Sequence, residues 1–144
     1  MEVARVRWSA AAAGVLFAGL AVFQVLLAAG VPWGRAAWGG APAHLGPGLR
    51  IGSAVAALVL AGAALVVLRR GGHRVWAPLP DRWLGPAVWV LAGYAALGTL
   101  LNAISRSPVE QAVQTPVALT LAVLCALVAL RPVARPGSSR DPVG

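Results

Sequence analysis

Charge is what this chain lacks. Four long stretches contain no Asp, Glu, Lys or Arg: Trp8 to Gly34, Ile51 to Leu68, Trp83 to Ser105, and Gln111 to Leu130. A bilayer core takes about 20 consecutive apolar residues per helix, and each stretch is near or above that length. A water-soluble domain of 144 residues has no interior large enough to hide this much apolar surface. The expected fold is therefore all-α: a transmembrane four-helix bundle, readable as two tandem helical hairpins.

Other absences narrow the chemistry. There is no Lys; all twelve basic residues are Arg, which with the Ala, Gly, Pro, Val and Leu excess indicates a high-GC bacterial genome. The net charge of +8 would suggest nucleic acid in a soluble protein. Here the arginines fall at span ends and tails, where they set orientation and meet anionic lipid, so no nucleic-acid partner is expected. The single Cys125 excludes an intramolecular disulfide, and one Cys with two His is no metal-ligand pattern. Cys125 reads as a small apolar packing residue. Neither a metal nor a cofactor is expected.

What remains is 59% apolar and 11% charged, the composition of a multi-pass membrane protein. One domain over 1–131 is expected, with helices near 9–30, 51–69, 83–105 and 108–130, and a disordered cytoplasmic tail over 132–144. The run from Trp8 to Val31 is too long for a signal-peptide core and lacks a small-x-small cleavage site, so it reads as a retained first helix. Arg5, Arg7, Arg69, Arg70, Arg74, Arg82, Arg131, Arg135 and Arg140 fall on one side; Arg35, Arg50 and Arg106 fall on the other. Nine against three, in short loops, predicts both termini in the cytoplasm of a bacterial plasma (inner) membrane.

The boundaries carry local signals. Asp81 is a candidate N-cap for the third helix, with Pro86 tolerable near its start. Ser107-Pro108-Val109-Glu110 reads as a capping box with proline at the first helical position, and Pro116 predicts a kink near Gln111 to Thr115. The longest loop, Val31 to Leu49, is rich in Gly and Pro and should lie over the bundle mouth, with Trp33 and Trp38 at the membrane boundary. A faint repeat aligns Ala18-Gly19 with Ala92-Gly93 and Ala64-Leu65-Val66 with Ala126-Leu127-Val128, the parallel kind that duplicated hairpins would give.

Polar residues in the spans are lopsided. Gln24, Ser53, Thr99, Asn102, Thr115 and Thr120 sit in the halves away from the termini, and the other halves hold only Trp89 and Cys125. Thr99, Asn102 and Arg106 share one helical face. Gln24 shares a face with Ala21 and Ala28, continued by Gly14 and Ala18, so Gln24 and Asn102 should point inward and hydrogen-bond across the bundle. The expected site is an outward polar cup of Gln24, Trp33, Arg35, Thr99, Asn102, Arg106 and Glu110, closed below by an apolar plug. Two readings stand for Gln24 and Asn102, interhelical glue or ligand contact. Glu110 reads as a capping carboxylate, or as the partner of Arg35 or Arg106. His44 reads as an ordinary loop histidine.

Gly30-Val-Pro-Trp-Gly-Arg35, Trp38-Gly-Gly40, Asn102-Ala-Ile-Ser-Arg-Ser-Pro-Val-Glu110 and Thr115-Pro116 together resemble a group of uncharacterised four-span bacterial integral membrane proteins of actinobacterial type. The resemblance covers about residues 10 to 130. It implies an inner-membrane four-helix bundle and brings no activity.

Three functions fit the sequence. The first is a non-catalytic, outward-facing binding or accessory subunit. Its partners are membrane lipids, with a protein partner or a second copy of the chain as further candidates. The second is a small-solute transporter, which needs an oligomer because the inner halves offer no polar path. The third is an enzyme on a lipid or quinone. No catalytic residue is assigned, since only His44 and Glu110 could form its acid/base pair and no nucleophile or phosphate motif supports it.

Overall fold

Each charge-free stretch folds largely into a helix. The structure, a computed structural model describing residues 1–131, contains α1 (Glu2–Ala29), α2 (Pro47–Arg70), α3 (Asp81–Ala103) and α4 (Thr115–Ala129). All four helical segments are long and apolar enough to cross a membrane, the fourth when counted from Glu110. They make the chain a small multi-pass membrane protein by length and composition. The tail expected over 132–144, with Arg135 and Arg140, lies outside the described residues.

α1 and α2 begin several residues before their apolar runs. α1 starts at Glu2, whose carboxylate is well placed in the first turn, and nothing before Trp8 breaks a helix. α2 starts at Pro47 behind the extended Gly46, since proline needs no donor in a first turn. α1 ends at Gly30 with φ 102°, where Gly30 N–H bonds Leu27 O and Val31 N–H bonds Leu26 O. Glycine takes that left-handed turn without a steric penalty. The expected Asp81 N-cap is corrected: Pro80 holds that position, and Asp81 reaches across to Arg69, with Nε 3.0 Å away.

The fourth span is helical from Pro108, with a π-helical turn over Glu110–Gln114 before α4. This is the irregularity that Pro116 foretold. Pro116 has no N–H to give the preceding turn, and the wider turn re-pairs the carbonyls. Glu110 O accepts from both the backbone N–H of Thr115 and its hydroxyl, the latter at 3.2 Å.

The helices pack as two hairpins, α1 with α2 and α3 with α4, joined by α1–α4 and α2–α3 contacts. The main core lies toward the N-terminal end of the bundle. Ala10, Ala13 and Phe17 meet Ala64 and Val67, Leu84 and Val88, and Leu121, Cys125 and Val128. Cys125 is fully buried there, as a packing residue. Close approach depends on small residues: a Cβ on Gly14 would lie 2.8 Å from Leu68 Cγ, and one on Gly71 would lie 2.1 Å from Ala10 Cβ. The small-residue stripe is in a different phase from the one expected. Gly14 and Ala21 are buried with Ala10, Ala13 and Phe17, whereas Ala18 is exposed.

At the N-terminal end, α2 and α4 are clasped at their C-termini. Arg70 donates to Arg131 O at 2.8 Å and to Ala129 O at 3.4 Å, and Arg131 donates to Arg70 O at 3.0 Å. Guanidinium groups at helix C-termini satisfy carbonyls that have no partner within the helix. This clasp holds the hairpins together at one end and leaves the far end to a different device.

Candidate functional site

At the far end, the loop between α1 and α2 folds down over the bundle and is stapled to the start of the fourth span. A 3-10 turn over Gly34–Ala36 doubles the loop back. Gly34 N–H bonds Ala43 O at 2.9 Å, and a Cβ on Gly34 would fall 2.1 Å from Pro42 O, so only glycine fits. Leu27, Ala37 and Leu45 form a small core beneath the loop, and Trp33 stacks on Phe23 with ring centroids 6.4 Å apart.

The staples are polar and specific. Ser107 Oγ donates to Arg35 O at 2.7 Å, and Gln114 Nε2 donates to Ala36 O. Gly39 N–H donates to Glu110 Oε1 at 3.0 Å, while Ser105 Oγ donates to Glu110 Oε2. Trp38 Nε1 donates to Ser53 Oγ at 3.1 Å, which fixes the loop to α2. Trp38 has φ 54°, a left-handed conformation strained for a bulky side chain and held by these bonds. Its ring occupies the space over Gly52, where a Cβ would approach to 3.1 Å.

Glu110 is thus neither a simple cap nor an ion-pair partner. Half the capping box forms: Glu110 N–H donates to Ser107 Oγ at 3.3 Å. The reciprocal half does not, because Ser107 N–H donates to Ser105 Oγ at 3.0 Å, leaving the Glu110 carboxylate to hold the loop. Pairing with Arg35 or Arg106 is corrected too. Among the described residues the sole ion pair is Arg69–Asp81, and both far-end arginines are exposed. Arg35 enters the network only through its backbone carbonyl.

Beneath the stapled loop lies a cavity of about 560 Å³. It occupies the space between α3 and the α1–α2 hairpin, where α1 and α3 stand apart across one diagonal of the bundle. Phe17, Leu20 and Leu60 form the apolar floor with Ala118 and Leu121 of α4. Gln24, Asn102, Ser105, Glu110 and Gln114 line it toward the far end, under Trp38 and Gly39. The α3 wall is a rim. Tyr94, Leu97, Leu101 and Ile104 line the cavity, yet are 59%, 54%, 55% and 79% exposed. Their ten-residue spread is about 15 Å of helix, so the opening is a lateral slit along α3.

The residues of the expected cup fall in different places. Gln24, Asn102 and Glu110 converge on the cavity; Trp33, Arg35, Thr99 and Arg106 do not line it. Thr99 spends its hydroxyl on Ala95 O of its own helix, at 2.9 Å. Gln24 and Asn102 make no hydrogen bond across the bundle, contrary to expectation, and Gln24 Oε1 is buried with no partner. His44 is exposed on the loop and does not line the cavity, so the pair needed for acid/base chemistry is not assembled there. Residues missed in the sequence are Trp38, Gly39, Tyr94, Ser105 and Gln114. The signal was the density of polar residues at a span entrance, six in the ten positions from Ser105 to Gln114.

No family model, curated protein or solved structure matches this chain. No cluster of His, Cys, Asp and Glu suited to a metal occurs among the described residues. The chemistry of the site has to be read from its own walls.

Proposed function

We propose that the chain is a non-catalytic membrane binding protein whose cavity takes an amphiphile dissolved in the bilayer. One observation carries this reading: the cavity is apolar at its floor, polar at its far end, and open sideways along α3. A molecule with an apolar chain and a polar head matches that gradient, and a slit at membrane depth admits it without passage through water. Its size suits one lipid head and the first part of a chain, within the about 300–1,000 Å³ of usual small-molecule sites.

The setting is that of the sequence reading. The arginine asymmetry supports cytoplasmic termini, which turns the stapled loop and the cavity's polar end outward in a bacterial inner membrane. The resemblance to four-span actinobacterial proteins agrees with that setting. The packed core around Phe17, Val88 and Leu121 closes the N-terminal half of the bundle, which favours binding over passage.

Gly98 provides the test. It lines the cavity, and a Cβ there would meet only Ala118 Cβ at 3.9 Å, so Gly98→Phe fills the space without a backbone clash. Replacing a helical glycine also favours the helix by roughly 0.5 kcal/mol, which guards against misfolding. Lipids retained by the purified wild type in native mass spectrometry should be lost from Gly98→Phe at unchanged thermal stability. Equal lipid retention by the two proteins would sink the reading.

A further inference from the structure

Resting on the cavity reading, the polar lining also specifies the head group. We propose that the cavity selects a lipid whose head carries hydroxyl donors and no negative charge, and rejects anionic phospholipids. The argument begins with charge. Among the described residues no Arg, Lys or His lines the cavity, and Glu110 brings a buried carboxylate, 4% exposed, with no ion-pair partner. A phosphate entering this space would be desolvated next to a like charge with nothing to neutralise it. Even at a high effective dielectric that repulsion amounts to about a tenfold penalty or more.

Hydrogen-bonding capacity points the same way. Gln114 gives one N–H of its Nε2 to Ala36 O, and its oxygen makes no bond that competes with a ligand donor. The Glu110 carboxylate accepts from Gly39 and Ser105 and still has lone pairs to spare. Gln24 Oε1 is buried with no donor, on a side chain that lines the cavity. The Glu110 carboxylate and the Gln24 oxygen need donors, and the Asn102 amide can give and accept, a set that a hydroxyl satisfies in both directions. An orphan acceptor in a low-dielectric site is costly, and a ligand hydroxyl relieves it. A glycerol-type head supplies such hydroxyls from a carbon skeleton small enough to share the space with its first methylenes.

The experiment uses the full chain in phosphatidylcholine nanodiscs doped with one of two photoactivatable lipids. These are a diacylglycerol and a phosphatidate with identical diazirine-bearing chains. Labelling is mapped to Leu20 and Ala118, half-buried residues that line the cavity. The diacylglycerol should label these positions at least about tenfold more than the phosphatidate. An alkylglycerol should compete, and its O-methylated ether should not. Gln24→Leu should reduce diacylglycerol labelling several-fold, and Glu110→Gln should raise phosphatidate labelling, a gain that misfolding cannot imitate. Equal or stronger labelling by phosphatidate would overturn the head-group inference and leave the cavity reading standing. Equal competition by the ether would overturn the donor requirement. Labelling by neither lipid above the Gly98→Phe background would overturn the cavity reading itself.

Discussion

Glu110 is the residue on which the far end turns, and its truncation has a size that can be worked from the bonds it makes. The carboxylate accepts from Gly39 N–H and from Ser105 Oγ at a position 4% exposed. Hydrogen bonds to a charged group contribute about 1.5–3 kcal/mol each. Glu110→Ala loses both, while relief of the buried charge offsets part of the loss, leaving a net cost of about 3 kcal/mol. Glu110→Gln keeps an acceptor for Gly39, and the Ser105 hydroxyl can turn to accept from the new amide, so about 1 kcal/mol is expected. The loop is the part released, because the N-terminal core does not touch it. Exchange of the Gly39 amide, followed by hydrogen–deuterium exchange in bicelles, should quicken about a hundredfold in Glu110→Ala and under about tenfold in Glu110→Gln. Combining Glu110→Gln with Arg35→Gln or Arg106→Gln should give additive effects, because neither guanidinium pairs with the carboxylate. Coupling above about 1 kcal/mol, or equal damage by Ala and Gln, would refute the loop-holding role.

Three further outcomes follow from the packing. Gly71→Ala should cost about 1–3 kcal/mol in detergent-unfolding titrations, since its Cβ would sit 2.1 Å from Ala10 Cβ; Ala10→Gly should restore most of it. Asp81→Asn should shift stability by under about 1 kcal/mol in the same titration, because the Arg69 and Asp81 side chains are 40% and 71% exposed. A reporter active only in the cytoplasm should give signal when fused after Arg131 and none when inserted at Pro42; the reverse would overturn the orientation.

The fold was legible because its cause is local. A helix in hydrocarbon satisfies its own backbone, so an uncharged run of sufficient length determines a span whatever its neighbours do. Pro116 predicts a kink just upstream, and what the structure has there is a π-helical turn at Glu110–Gln114. Helical phase was enough to bring Gln24 and Asn102 to a common space, and depth was enough to put Glu110 near them.

What sequence could not decide were the partners, which depend on how a loop folds back over distances of 70 residues or more along the chain. From sequence the Glu110 carboxylate could serve its own helix or an arginine; in the fold it takes the backbone of Gly39, because the 3-10 turn at Gly34–Ala36 aims that amide at it. Arg35 stands out in the sequence by its charge but joins the loop network through its carbonyl, and Thr99 stands out by its hydroxyl but bonds its own helix. Nor could the sequence tell a closed mouth from a slit, since that depends on how far α3 stands from α1. Composition and length determined that there are four helices long and apolar enough to cross a membrane; tertiary structure alone decided which polar atoms meet, because a backbone amide carries no signature of its partner in the residues that flank it.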